Sequence, residues 1–541
     1  MKHAKIVACL LLVLVILLPA GCKGNDGPGQ EEGDGIVTVG LKLDTTIADY
    51  DTNGLTKYLE EVTGLNIEFE FFSSNVDNAK RQLTLMCAGQ EKLPDVLLGI
   101  NLGHYMINQF GEDGYFIDLA ELIETNAPNF KAAMSKLSEK EQKYIREKLI
   151  NTSDGKSIFA MPSYCLPVVD DMQSMMYINK TWLDKVGMSA PANVEELEKV
   201  LTAFATKDPN GNGVADEIPM LAQGSAIDWI INAFVQYSTT TFNVTGGKVW
   251  DPVYTDEFRK GVQFVSELVK KGLCHEYGFT LSTQEVKNLI SPTDGSAMRI
   301  GIFAGHPESM TNLQTDALDH YVALGALADA TGKGGYNMIN DPLVSFDAVI
   351  TSDCKDPKEA MKLLDAFYTD ECVTRQRFGV KGEDWEYEEG ENIFGSASYC
   401  KVLNPNAFFD GSLNATLHNL LGIKTYWNYA PLRADASNTT NNRTIQASRI
   451  LGESWNVMQN SGKKREYCLD GLIYTADEYD VRELYAGKSI AYMQENATLF
   501  MQGLKDPYDD VLWQEFLTNL TSTKRDLVMN VAQSAYDRIE K

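Results

Sequence analysis

The stretch "IVTVGLKLDTTIADYDTNGLTKYLEEVTGLNIEFEFFS", residues 36–73, sets the fold class. Residues 36–43 form a strand-like run with alternation, "LTKYLEEVTG" (55–64) is a helix stopped by Gly64, and "NIEFEFFS" (66–73) alternates again. Strand, helix and strand in that order open an α/β lobe.

The order repeats downstream. A second helix, "AKRQLTLMCAGQ", leads to "LPDVLLGI", a short apolar run fit for a buried parallel strand, and "DGYFIDLAELIETNAP" and "SIFAMPSY" continue the series. With 541 residues, 44% hydrophobic and 10% aromatic, the chain is globular and long enough for at least two domains.

Charge narrows the partners. The formal net charge is −27, and taking away the first 21 residues with Lys2 and Lys5 leaves −29, which argues against nucleic acid or anionic lipid as a ligand. The N-terminus reads as an address: Lys2 and Lys5 precede "IVACLLLVLVILL", too short for a comfortable membrane span, and "PAGC" follows. Ala20 and Gly21 before Cys22 resemble the lipobox of bacterial lipoproteins, with Pro19 where that motif prefers Leu, so residues 1–21 are expected to be a signal peptide and Cys22 the lipidated first residue. Residues 22–35, Gly-rich and acidic, read as a flexible leash. Beyond Cys9 and Cys22, the cysteines Cys87, Cys165, Cys274, Cys354, Cys372, Cys400 and Cys468 are odd in number and lack C-x-x-C spacing, so buried free thiols are expected rather than a disulfide framework.

Several segments together carry a resemblance. "TKYLEEVTGLNIEFEF", "LTLMCAGQEKLPDVLL", "YFIDLAELIETNAPN", "FAMPSY" and "MYINKTWLDKVGMSAPANVEELEKVLTAFATKDPNGNGVADEIPM" resemble the extracellular solute-binding proteins (family 1) of ABC sugar-uptake systems, in their large oligosaccharide-binding lipoprotein branch. "FDAVITSDCKDPKEAMKLLDAFYTDE", "FGVKGEDWEYEE" and "ENATLFMQGLKDPYDDVLWQEFLTNL" extend the likeness toward the C-terminus. The resemblance implies a two-lobe, periplasmic-binding-protein-like α/β fold (type II, Venus-flytrap). Its lobes would be discontinuous, residues 36–163 with 346–385 and residues 164–345 with 386–541, and would close on a ligand in the interlobe cleft. The chain would cross between lobes near Pro162–Tyr164, Leu343–Phe346 and Gly382–Glu391.

The resemblance also implies function: capture of an oligosaccharide outside a bacterial cell and delivery to the permease subunits of an ABC transporter, with the membrane touched only through the N-terminal lipid. Sugar faces would stack on aromatic rings, and Tyr164, Trp229, Trp385, Tyr387 and Trp427 are the candidates, with Asn101, Glu308 and Arg433 as polar partners. Trp182, spaced with Leu183 and Val186 on a helix, reads as core.

The helix before "KDPNGNGVADEIP" (207–219) has Asn193 and Glu196 placed as a capping box and an apolar stripe of Val194, Leu197, Val200, Leu201 and Phe204. Counting from Asp208, oxygen donors fall at positions 1 (Asp208), 3 (Asn210), 5 (Asn212), 7 (the Val214 carbonyl), 9 (Asp216) and 10 (Glu217), with Gly213 at the sharp turn of an EF-hand loop. Hard oxygens at that spacing suit a structural Ca²⁺, although Pro219 stands where an EF-hand carries its bidentate Glu. The alternative is a turn whose Asx side chains bond their own backbone. The resemblance favours the metal, since alginate-oligosaccharide-binding relatives carry Ca²⁺ in such a loop.

Enzyme motifs are missing. The histidines form no H-E-x-x-H, no G-x-S-x-G occurs, and "AGKS" (486–489) lacks the upstream Gly of a P-loop. A secreted glycoside hydrolase, or a binder of peptide or another solute on the same fold, are the alternatives.

Overall fold

The computed structural model describes residues 35–44, 47–150, 155–165, 175–222, 225–275, 278, 281–306, 310–312, 315–329, 331–332, 334–337, 343–389, 398–403, 450, 453–454, 456–464, 469, 472 and 474–539. The opening stretch folds as read. Strands β1 (Ile36–Lys42) and β2 (Asn66–Phe72) pair in parallel from Ile36↔Asn66 to Lys42↔Phe72. The helix Gly54–Thr63 between them starts where the Asn53 side chain accepts from Leu55 N and ends at Gly64, φ 69°, whose N–H returns to Glu60 O.

The first sheet runs β2-β1-β3-β11-β4, adding β3 (Val96–Leu98), β4 (Met161–Cys165) and, far along the chain, β11 (Leu343–Ile350). β3 is parallel to β1, whereas β11 is antiparallel to both β3 and β4. Gly40 in β1 is dictated by packing: a Cβ there would stand 2.7 Å from Leu97 Cδ2 and 2.8 Å from Pro94 Cγ. Val37, Val39, Leu41, Leu97 and Leu98 bury against helices on Leu55, Leu59, Leu83, Ile107, Met361 and Leu364.

The second sheet runs β10-β5-β9-β6, from β5 (Met176–Asn179), β6 (Ile218–Met220), β9 (Ile300–Ala304) and β10 (Tyr321–Leu324). β6 and β9 are parallel, while β5 is antiparallel to both of its neighbours. Its core is separate and holds the whole expected stripe of Val194, Leu197, Val200, Leu201 and Phe204, with Trp182 edge-on to Phe204 at 5.2 Å. The capping box is only half formed: Asn193 accepts from Glu196 N at 2.8 Å, but Glu196 Oε2 reaches past its expected partner to accept from Ala192 N.

The C-terminal helices Ala476–Met501 and Asp510–Ser522 put Met493, Phe500, Trp513 and Phe516 into that second core. A further helix, Arg525–Ile539, packs with the hairpin of β7 (Asn243–Thr245) and β8 (Lys248–Trp250), where Arg525 makes a buried ion pair with Asp251. The remaining hairpin joins β12 (Trp385–Glu389) to β13 (Ser398–Val402).

The passages differ slightly from expectation. Pro162–Tyr164 lies inside β4 and Leu343–Phe346 inside β11, because those two strands pair with each other before the chain leaves the first sheet. "AGKS" is helical, as read. Cys87, Cys274, Cys354 and Cys372 are free thiols, and burial pushes the last three up to about 12. No described helix is long and apolar enough to cross a membrane.

Candidate functional site

In open α/β sheets ligands bind beyond the carboxyl ends of the parallel strands. In the first sheet those ends lead into residues 43–53, 73–75 and 99–103. The turn after β3 is built from left-handed backbone at Gly99 (φ 66°), Asn101 (φ 58°) and Gly103 (φ 75°), and Asn101 is exposed. In the second sheet, β6 leads to Leu221–Ala222 and β9 to Gly305–His306.

An aromatic stack links the two halves. Tyr105, on the helix that follows the 99–103 turn, lies face to face with Tyr479 on helix Ala476–Met501 at 3.9 Å and 9°. Acidic residues surround it: burial and then Asp480, Asp113 and Asp477 push the Tyr105 phenol up, and burial with Glu483 pushes Tyr479 up to about 12.

The sequence candidates divide. Tyr164 is fully buried in the first core, and its hydroxyl donates to Glu141 Oε1 at 2.7 Å. Burial pushes the Glu141 carboxyl up, but the hydrogen bonds from Ser138 and Tyr164 outweigh it and hold the carboxyl low. Trp229 is 1% exposed in the second core. Both rings are therefore occupied by packing, which an aromatic at a strand or helix interior achieves before it meets any solute.

Trp385 is 2% exposed, with Nε1 donating to Gly379 O at 3.1 Å. It supports Tyr387 edge-on at 4.9 Å, and Tyr387 is 43% exposed with the Lys381 ammonium 4.6 Å from its ring centre. Of the described candidates, Tyr387 alone offers a ring to solvent. Trp427, Glu308, Arg433 and Cys22 lie outside the described residues.

The 208–217 turn is held by its own side chains. Asp208 (φ 46°) accepts from Gly211 N and Asn212 N on Oδ1 and from Gly213 N on Oδ2, at 2.9, 3.2 and 3.0 Å. Asp216 Oδ1 accepts from the amides of Asn210 and Asn212 at 2.9 and 3.1 Å, and the Arg299 guanidinium lies 3.3 Å from Oδ2. Burial opposes ionisation of Asp216, yet the two amides and Arg299 hold its carboxyl below the usual range. The Val214 carbonyl accepts from Asp216 N. Among the described residues no three His, Cys, Asp or Glu side chains converge as metal ligands.

A cation nevertheless fits the turn's chemistry. Glu217 Oε1 is buried and has no hydrogen-bond partner, a costly arrangement for a carboxylate oxygen. Every other donor in the turn is a hard oxygen, the set that Ca²⁺ takes.

The aromatic groups passed over in the sequence are Tyr50, Phe69, Phe71, Tyr105 and Tyr479. "EFEFF" in β2 was the one local signal, because it keeps aromatics on alternate positions up to the end of a strand. Tyr105 and Tyr479 are distant in sequence and left no pattern.

Residues 45–371 match the family model described as "Bacterial extracellular solute-binding protein". The chain is 28% identical to the fructooligosaccharide ABC transporter substrate-binding protein FusA of Streptococcus pneumoniae over 62% of this chain and 60% of that relative, so the match spans less than two thirds of its length. It is 22% identical to Lipoprotein LipO of Bacillus subtilis over 70% of this chain and 74% of the relative.

Solved structures share the fold over almost the whole chain. A human-milk-oligosaccharide (HMO) binding, ABC-transporter-associated solute-binding protein from Bifidobacterium longum infantis superposes with TM-score 0.72 at 19% identity, covering 94% of this chain and 99% of that one. An EF-hand mutant of S. pneumoniae FusA with fructo-nystose gives 0.69 at 19% (93% and 99%), and the alginate-binding protein AlgQ2 without calcium ion gives 0.61 at 20% (93% and 98%).

Proposed function

We propose that this chain, which belongs to the bacterial extracellular solute-binding protein family, captures an oligosaccharide between its two α/β halves and delivers it to the permease of an ABC importer. The similarity to the fructooligosaccharide-binding relative carries this reading, supported by the shared fold of carbohydrate-binding proteins. The family is one of binding proteins, so the ligand is held and released rather than cleaved.

The residues divide the work. The turn after β3 with Asn101, the segment after β1, and exposed Tyr387 over its Trp385 support are the surfaces for sugar hydroxyls and ring faces. Trp427 belongs to the same proposal on sequence grounds. Closure of the halves would shield these contacts from water and present one shape to the transporter.

Ca²⁺ belongs to the 208–217 turn. Asp208, Asn210, Asn212, the Val214 carbonyl, Asp216 and Glu217 would hold it, and the buried Glu217 oxygen is the group that most needs it. The ion would supply positive charge that stiffens the turn. Cys22, lipidated, would anchor the protein at the outer face of the membrane, which the lipoprotein relative supports.

A thermal-shift screen of residues 23–541 against oligosaccharides, monosaccharides and peptides, with Ca²⁺ throughout, tests the reading. Ligand at ~100 times its dissociation constant adds ~2.7 kcal/mol of stability. A rise with one glycan class is expected; a flat sugar panel with a peptide response overturns the sugar assignment.

A further inference from the structure

Burial falls along one face of β2 but not along β1. Val37, Val39 and Leu41 of β1 stand opposite Ile67, Phe69 and Phe71 of β2, so these pairs share one face of the sheet. Val37, Val39 and Leu41 stay buried along β1, whereas on β2 Ile67 is buried and Phe71 is 41% exposed, with Leu43, just past the end of β1, 40% exposed. The β2 side of the apolar strip thus emerges into solvent at the edge where α/β sheets bind ligands, over a buried Leu41.

Phe71 is also held in place. Tyr50 packs against it at 4.7 Å and 60°, and Tyr50 is itself fixed by the Asp44 N–H donating to its hydroxyl at 2.8 Å. Phe69 completes the group, 5.5 Å from Tyr50 and 6.3 Å from Phe71. A ring supported on one side and open on the other is preorganised to receive a flat apolar face. The loop that carries Tyr50 is acidic, with Asp49 and Asp51 exposed and Asp44 half-buried, which disfavours an anionic occupant.

We infer that Phe71, seated on Tyr50, is an outer subsite that stacks the C–H face of an uncharged sugar ring and so selects longer chains. The inference deepens the oligosaccharide reading and rests on it. β2 is the edge strand, two strands from central β3, about 10 Å at ~4.8 Å per strand, so it serves a sugar roughly two units from the centre of the ligand.

Calorimetric titration of the mature chain, Phe71→Ala and Phe71→Tyr with fructo-, galacto- and malto-oligosaccharides of two to six units, and with oligogalacturonates, tests it. Phe71→Ala is expected to weaken the longest neutral chains about tenfold, a difference of ~1.4 kcal/mol, and the shortest less than twofold. Phe71→Tyr restores the loss, and melting temperature stays level. Equal losses at every length, no loss at all, or tighter binding of oligogalacturonate than of neutral chains overturns the subsite. If the parent chain binds neutral oligosaccharides and only the Phe71 contrast fails, the transport reading stands without the subsite; if it binds none of the panel, both fall.

Discussion

The turn at 208–217 and the aromatic residues of the two sheets are assembled in opposite ways. The turn draws its oxygen groups and its own hydrogen bonds from one continuous stretch, so its pattern is set by residue spacing. Aromatic surfaces depend on what packs against them: Tyr164 and Trp229 are consumed by the cores and Trp385 is buried beside Tyr387, while Tyr387 and Phe71 keep a face exposed. A local site is therefore written in consecutive residues, and a distributed one is written in burial.

Trp229 probes that difference hardest. Trp229→Ala leaves a cavity in the second core and should cost about 3–5 kcal/mol, seen as a large fall in melting temperature. Unchanged melting with lost sugar binding would mean that its ring serves ligand rather than packing.

Next comes the turn. Asp208→Ala with Asp216→Ala should abolish the stabilisation that Ca²⁺ gives, about 2.7 kcal/mol at a hundredfold excess over its dissociation constant. Identical melting of the parent protein with Ca²⁺ and with chelator removes the metal. Glu217→Gln sharpens the point, since it removes a buried unpaired carboxylate oxygen. The variant should be more stable than the parent in chelator by ~1 kcal/mol, and less stabilised by Ca²⁺.

Tyr387→Ala should leave melting nearly level, because the ring is half-exposed, and weaken oligosaccharide binding by roughly 1 kcal/mol. A titration showing unaltered affinity takes Tyr387 out of the site.

A separate effect is in pH. Burial lowers His104 from 6.5 to about 4, while its ring sits 4.9 Å from Phe346 of β11 and its Nε2 contacts Lys148 O. A depressed folded-state value means that this stability is present above pH 6.5 and is lost as pH falls from there toward 4. Melting should drop by a few degrees over that window, and His104→Gln should flatten the drop; equal slopes in both proteins contradict it.

The same distinction explains what the sequence made legible. The β1–helix–β2 opening, the 194–206 stripe and the buried Trp182 were readable because period and capping are local. The sheet order was not, since β11 enters the first sheet from far along the chain and pairs β4 up to Cys165. For Tyr164 in β4 and Trp229 in the helix Ser225–Asn232, the neighbouring residues carry no mark of whether a core will claim the ring. Beyond the aromatic alternation of "EFEFF", Phe71 is set apart by the fall in burial along β2, which sequence does not carry.

The most direct measurement is calorimetric titration of residues 23–541 with the oligosaccharide that gives the largest thermal shift, followed by recovery of that sugar and analysis of its length. One-to-one binding with the sugar returned intact is expected and, in the Ca²⁺-free protein, a less stable chain. Shortened sugar, formed at an enzyme-like rate, would contradict that expectation.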